Sequence, residues 1–112
     1  MRQTIRRGEI WWVCLDPALG SEIRKTRPCV VVSAEQINRQ RRTPIVVPLS
    51  ASPDAAPPVV ISVPSAGPDS VAVVDQVRAV DKTRFVRTSG RLSLEDLAAV
   101  ESALKRVLEL PD

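Results

Sequence analysis

Apolar residues in this chain come in short runs broken by proline, glycine and charge, and only the C-terminal segment carries helical spacing. Residues 8–15, GEIWWVCL, are too short and too rich in β-formers for a helix, which predicts a strand. DPALG, 16–20, predicts a turn, because Pro17 presets its own φ and Gly20 accepts a positive one. A charged loop runs on to Arg27, and Pro28 then bars Arg27 from the helical region, so Arg27 is extended as PCVVVS begins. Proline is tolerated at the first position of a strand, and the run 28–32 is apolar on both faces, as in a strand buried on both sides. AEQINRQRR predicts a short helical turn or polar connection. TPIVVPLS, 43–50, predicts a third strand whose Pro44 and Pro48 both remove an N–H from one side, where an edge or a bulge is expected.

Residues 51–70 hold five of the ten prolines, and 51–57 are the expected mobile loop, with Ser50 at its root. PVVISV at 58–63 and SVAVVDQVRAVD at 70–81 predict further strands, and Asp81 caps a possible single turn in DKTRF. Ser93 predicts the start of an amphipathic helix, with Asp96 placed for a capping box and Leu94, Leu97, Leu104, Val107 and Leu108 as its apolar stripe. Glu95 and Asp96 at its start and Lys105 and Arg106 near its end suit the helix dipole. The sum is an α+β, mostly β class: a small bent sheet or barrel packed by one C-terminal helix, with residues 1–112 forming a single domain.

Composition sharpens this in three ways. No apolar run approaches the roughly 18 residues of a membrane span and the N-terminus lacks a signal-peptide core, so a cytoplasmic protein is expected. The chain has no histidine, which excludes Ser-His and Cys-His nucleophile pairs and His-containing zinc sites. Cys14 and Cys29 sit in apolar runs and are expected to be reduced, buried thiols. Net charge is only +3, yet residues 1–48 hold nine Lys or Arg against four Asp or Glu, whereas 49–112 hold seven against nine. Such asymmetry fits a surface that faces a polyanion.

Three stretches, RGEIWWVCLDPALGSEIRKTRPCVVVS (7–33), TPIVVPLS (43–50) and VVDQVRAVDKTR (73–84), together with the following helix, resemble the MazF/PemK/Kid family of toxin–antitoxin endoribonucleases. The resemblance implies an SH3-like barrel of about five to seven strands, of the CcdB/MazF type, and a homodimer. It further implies sequence-specific cleavage of single-stranded RNA with no metal or other cofactor, leaving 2′,3′-cyclic phosphate and 5′-hydroxyl ends. A cognate antitoxin whose disordered C-terminal segment covers the RNA groove is implied too, as is DNA binding by the toxin–antitoxin complex.

Chemistry at the matching positions fits that activity. Arg27 is the candidate for phosphorane stabilisation, since a planar guanidinium donates two parallel hydrogen bonds to phosphate and stays protonated at any working pH. Ser50 stands where the family typically carries a catalytic threonine, keeping the hydroxyl but losing the methyl that fixes the rotamer. Glu22 is the carboxylate inside the charged cluster, either as general base or as the group that orients Arg27. Ser21, Arg24 and Lys25 are candidate RNA contacts, and Asp75, Gln76 and Arg78 match a segment that supplies an acid or base contacts in some members. Val73 stands where the Kid-type pattern has an arginine, a role Arg78 would have to take. Trp11 and Trp12 point to opposite faces of one strand, and the basic run Arg39, Arg41, Arg42 is either a solvated face or a further phosphate contact. Two other functions remain at this point: a non-catalytic nucleic-acid-binding relative, and a gyrase poison of the CcdB type, against which the terminal LELPD lacks Trp-Gly-Ile.

Overall fold

A computed structural model of the chain describes residues 4–51 and 54–112. Seven strands form one bent, antiparallel sheet: β1 (Glu9–Cys14), β2 (Thr26–Val31), β3 (Ile45–Ala51), β4 (Val60–Ser62), β5 (Ser70–Val73), β6 (Arg78–Ala79) and β7 (Phe85–Arg91). The short helix α1 (Glu35–Gln40) links β2 to β3, and α2 (Leu94–Val107) ends the fold. Strand order is β4-β5-β3-β2-β1-β7, with β6 paired to the start of β3. Among the described residues no ladder joins β4 to β7, so the expected barrel is an unclosed sheet.

Period-two alternation assigns residues to the two faces. Ile10 lies opposite Val30, while Trp11 lies opposite Cys29 and Val13 opposite Arg27. One face carries Ile10, Val30, Val47, Leu49 and Ala72 and is covered by Leu97, Val100 and Ala103 of α2. The other carries Trp11, Val13, Cys29, Val31 and Val46, closed by Ile5, Leu15, Val80 and Phe85. β2 is thus buried on both faces at Cys29, Val30 and Val31, as the apolar run predicts. Trp11 is buried with its ring edge-on to Phe85 at 5.8 Å, whereas Trp12 faces the opposite way with the Arg87 guanidinium 5.1 Å from its ring centre.

β3 corrects one expectation. Far from being an edge, it is central, flanked by β2 on one side and by β6 and then β5 on the other. The Ile45 N–H points to the β2 side, where it donates to Ser33 Oγ at 3.0 Å, so alternation turns the nitrogens of Pro44 and Pro48 to the far side. There β6 pairs with Ile45 and Val46 and β5 with Leu49, Ser50 and Ala51. Pro48 therefore sits at the changeover between two partner strands, where no ladder bond is lost. Of the expected mobile loop, residues 52 and 53 lie outside the described residues.

α2 begins at Ser93, whose side chain accepts from the Asp96 N–H at 3.1 Å. The return half of the capping box is relayed: the Asp96 carboxylate accepts from the Ser65 N–H at 2.8 Å and from the Ser65 hydroxyl, and Ser65 Oγ accepts from the Ser93 N–H at 3.0 Å. Of the expected apolar stripe, Leu97 is buried and Leu104 and Val107 pack partly buried against the same cluster, joined by Val100 and Ala103, whereas Leu94 and Leu108, at the two ends of the helix, are exposed.

Candidate active site

The first wall of the site is a loop held open by its own backbone bonds. Lys25 adopts φ +68°, a left-handed conformation that costs an L-residue about 1–2 kcal/mol. It is held there because its N–H donates to Asp16 Oδ1 at 3.0 Å and its carbonyl accepts from the Leu15 N–H at 2.9 Å. Arg84 closes the base of the loop, donating from Nη1 to the carbonyls of Cys14 and Asp16. This turn redirects the chain into β2, so that Arg27 emerges extended and exposed, its Nε donating to the Arg24 carbonyl at 3.3 Å.

Arg27 meets two other predicted residues by register. Cys29 lies opposite Pro48 at the end of the β2–β3 ladder, and Arg27 and Ser50 each lie two residues beyond that pair on their own strands. Alternation along each strand therefore sets Arg27 and Ser50 on the face of Cys29 and Pro48. Arg78 lies opposite Val46, which alternation sets on the same face again. Ser50 is half-buried and also borders a pocket of about 340 Å³ with Trp12, Pro28 and Ser65.

Arg78 and Gln76 tie the loop to the sheet. Arg78 Nη2 donates to the Ile23 carbonyl at 3.4 Å and to Gln76 Oε1 at 3.3 Å, and Gln76 Oε1 accepts from the Ile23 N–H at 3.5 Å. Ile23 packs against the cluster around Trp11 and Phe85, so the loop lies over the face that carries Arg27 and Ser50. Beneath it, burial pushes the Cys29 thiol up to about 12, against the opposing pull of the Arg78 guanidinium. Val73 lies opposite Val60 and two residues from Val71, the partner of Ser50, and so also turns to this face. Arg78 accordingly supplies a guanidinium to the face on which Val73 offers none.

Glu22 does not orient Arg27. Its Oε1 accepts from the Leu19 N–H at 2.6 Å while its own N–H returns to the Leu19 carbonyl at 3.1 Å, so one carboxylate oxygen closes its own turn and the other is left to solvent. Ser21 is exposed at the tip of that turn, and Asp75 is exposed in the single helical turn Val74–Gln76. Among the described residues the ion pairs within 4 Å are Arg7–Glu101 and Arg42–Asp81. Arg24, Lys25, Arg27 and Arg78 therefore present four cations with no carboxylate partner, an arrangement that favours an anionic ligand. Reading the sequence missed Asp16 and Arg84, whose role is to hold the loop; the signal available was Asp16 directly before Pro17 at the strand exit.

The family described as PemK-like, MazF-like toxin of type II toxin–antitoxin systems matches residues 6–108. The chain belongs to that family. Endoribonuclease MazF9 of Mycobacterium tuberculosis is 39% identical over 95% of this chain and 98% of its own length. Among solved structures, MazF from Deinococcus radiodurans superposes with a TM-score of 0.84 at 22% identity, over 96% of this chain and 99% of its own. A mycobacterial endoribonuclease in complex with its cognate antitoxin superposes with a TM-score of 0.78 at 19% identity, covering 99% of each chain. These likenesses place the fold in the PemK/MazF group, with the Arg27 loop, the end of β3 and the β5–β6 turn inside the matched span. No helix among the described residues is long and apolar enough to cross a membrane.

Proposed function

We propose that this PemK/MazF-type chain is a sequence-specific endoribonuclease that cuts single-stranded RNA through the RNA's own 2′-hydroxyl. The observation that carries the reading is the meeting of Arg27, Ser50 and Arg78 on one face beneath a loop of unpaired cations. In this reaction the 2′-oxygen forms a bond to the adjacent phosphorus and loses its proton. The bond from phosphorus to the 5′-oxygen then breaks, and the departing oxygen takes up a proton, leaving a 2′,3′-cyclic phosphate and a 5′-hydroxyl. Arg27 donates to the phosphoryl oxygens as negative charge accumulates on them. Ser50 holds the 2′-hydroxyl or the phosphate from the facing strand, and the free oxygen of Glu22 accepts the 2′ proton, with Asp75 the other carboxylate bordering the segment. Arg24, Lys25 and Arg78 hold flanking phosphates, while Ser21 and Gln76 offer hydrogen bonds to the bases. The chain acts as a single domain, as a homodimer, in the cytoplasm and without a metal, and a cognate antitoxin segment closes the same groove. The mycobacterial relative solved in complex with its cognate antitoxin supports an antitoxin as partner.

Purified protein incubated with a long single-stranded RNA tests the reading. Removing one preorganised donor from such a site costs about 10²–10³ in rate, which is the expected effect of Arg27→Ala. Ser50→Ala is expected to be impaired and Ser50→Thr active. RNA that binds but stays intact with the wild-type protein would refute the catalytic reading in favour of a binding module.

A further inference from the structure

The face that carries Arg27 and Ser50 has a second cationic site at its other end. A cleft of about 890 Å³ opens there, lined by Arg39, Arg41, Arg42 and Lys82 with Thr83 and Asn38, and floored by Ile5 and Phe85. Ile5 and Phe85 belong to the cluster of Trp11, Cys29 and Val46, which places the cleft on the Arg27 face. Its position along β3 is fixed by two backbone bonds, Lys82 N–H to the Arg42 carbonyl at 2.8 Å and Val80 N–H to the Pro44 carbonyl at 3.0 Å. Arg42 precedes Ser50 by eight positions of mostly extended chain, so the cleft and the reaction point stand up to about 26 Å apart.

Among the described residues, no carboxylate lines the cleft. The nearest acids are engaged: Asp81 accepts from the Thr83 N–H and hydroxyl and pairs with Arg42 at 3.5 Å, and Glu35 accepts from the Arg7 N–H and the Asn38 amide. Arg39, Arg41 and Lys82 form no ion pair among the described residues. Three unneutralised cations around an open cleft make a receptor for phosphate groups rather than for a neutral ligand.

We propose that this cleft holds the phosphate backbone of the same single-stranded RNA at a distance from the cut, so that long RNA is gripped at both ends of the face. The inference rests on the function proposed above. An acidic peptide is the competing occupant, but a segment that orders on binding must bury apolar side chains to offset its lost entropy. The apolar floor here is closed, with Ile5 and Phe85 only 5% and 3% exposed, so the cleft offers charge and little else.

The test uses fluorescein-labelled oligouridylates of about 6 and about 30 nucleotides, titrated in EDTA across about 50 to 200 mM salt. Wild-type protein is compared with Arg39→Ala/Arg41→Ala/Lys82→Ala, and with Arg41→Glu alone as a variant at an exposed position that tolerates change. Three phosphate contacts at about 0.7 each predict that the triple variant lowers the salt slope for the longer oligonucleotide by about 2 and its affinity at least about tenfold. Arg41→Glu moves both in the same direction. Equal slopes and affinities for wild-type and variants overturn the proposal. So does a polyglutamate of matched charge that binds more tightly than the oligouridylate and loses that binding in the triple variant, which assigns the cleft to a peptide. Cleavage of a long RNA by wild-type protein, scored alongside, separates the two claims: cutting with an unaffected variant sinks the cleft alone, and absent cutting with an affected variant sinks the catalytic reading alone.

Discussion

Replacing Asp16 by alanine removes the acceptor that holds Lys25 at φ +68°. A hydrogen bond from a backbone N–H to a carboxylate on an exposed turn contributes about 1–1.5 kcal/mol, and the left-handed conformation it sustains costs about 1–2 kcal/mol on its own. Without it only the Leu15 N–H bond opposes the strain, so the turn loosens and the domain loses about 1–1.5 kcal/mol, or about 4–6 °C in Tm. Arg27, two residues on, then occupies its extended position in a smaller fraction of molecules, and cleavage slows about tenfold. Asp16→Asn keeps an Oδ1 acceptor and is expected to retain most of both quantities. The decisive variant is Lys25→Gly in the Asp16→Ala background, because glycine takes φ +68° without steric cost and restores about 1 kcal/mol. Thermal denaturation of wild type, Asp16→Ala, Lys25→Gly and the Asp16→Ala/Lys25→Gly double variant forms a double-mutant cycle. If Asp16→Ala melts with wild type, or glycine at 25 returns nothing to it, the clamp account of this loop is wrong.

Other consequences are read by simple assays. Val100, fully buried where α2 meets the sheet, is expected to cost about 2 kcal/mol when cut to alanine, seen as a lower denaturant midpoint with an unchanged m-value. Ser65→Ala strips Asp96 and the Ser93 N–H of their shared partner and is expected to cost about 1–2 kcal/mol, with faster amide exchange confined to the first turn of α2. Because the folded Cys29 thiol is raised to about 12 from an ordinary 9.0, its contribution is complete below pH 9 and is lost as pH climbs towards 12. Cys29→Ala should flatten the alkaline fall in Tm. The Glu35 carboxyl runs the other way, held below its ordinary 4.5 chiefly by the Arg7 N–H and then by the Asn38 amide. That stability is present above pH 4.5 and disappears as pH falls through the lower folded value, so Glu35→Gln should blunt acid unfolding.

What was legible in the sequence was what local chemistry dictates. The alternation at Trp11 and Trp12, the double-sided burial of β2, the Asp81 cap and the Ser93 cap follow from spacing and side-chain type, and all are present. β7 was not legible. FVRTSGR is an edge strand with only Phe85 buried, so it carries no apolar alternation, and its pairing to β1 is a tertiary fact. The two prolines of β3 suggested an edge because periodicity cannot show that one strand has two successive partners on one side. In the site, Arg27 and Ser50 come from the family resemblance, but their sharing one face follows from the Cys29–Pro48 pairing, which no one-dimensional pattern contains. Arg78 could be offered only as a substitute for the missing arginine until β6 was seen to turn it to the Ser50 face. The side chains of Asp16 and Arg84 bond to backbone groups nine and sixty-eight positions away, a distance over which sequence spacing does not show the partner.

Under the function proposed above, this face cuts RNA by transesterification with Arg27 bearing the developing charge. The most direct measurement is the chemistry of the ends: wild-type protein and Arg27→Ala are incubated with one long single-stranded RNA in EDTA, and the fragments are mapped and end-typed. Discrete cuts with 2′,3′-cyclic phosphate and 5′-hydroxyl ends are expected in the wild-type lane, reduced about 10²–10³-fold in the variant. Fragments with 5′-phosphate ends, cleavage abolished by EDTA, or an Arg27→Ala lane matching wild type would contradict it.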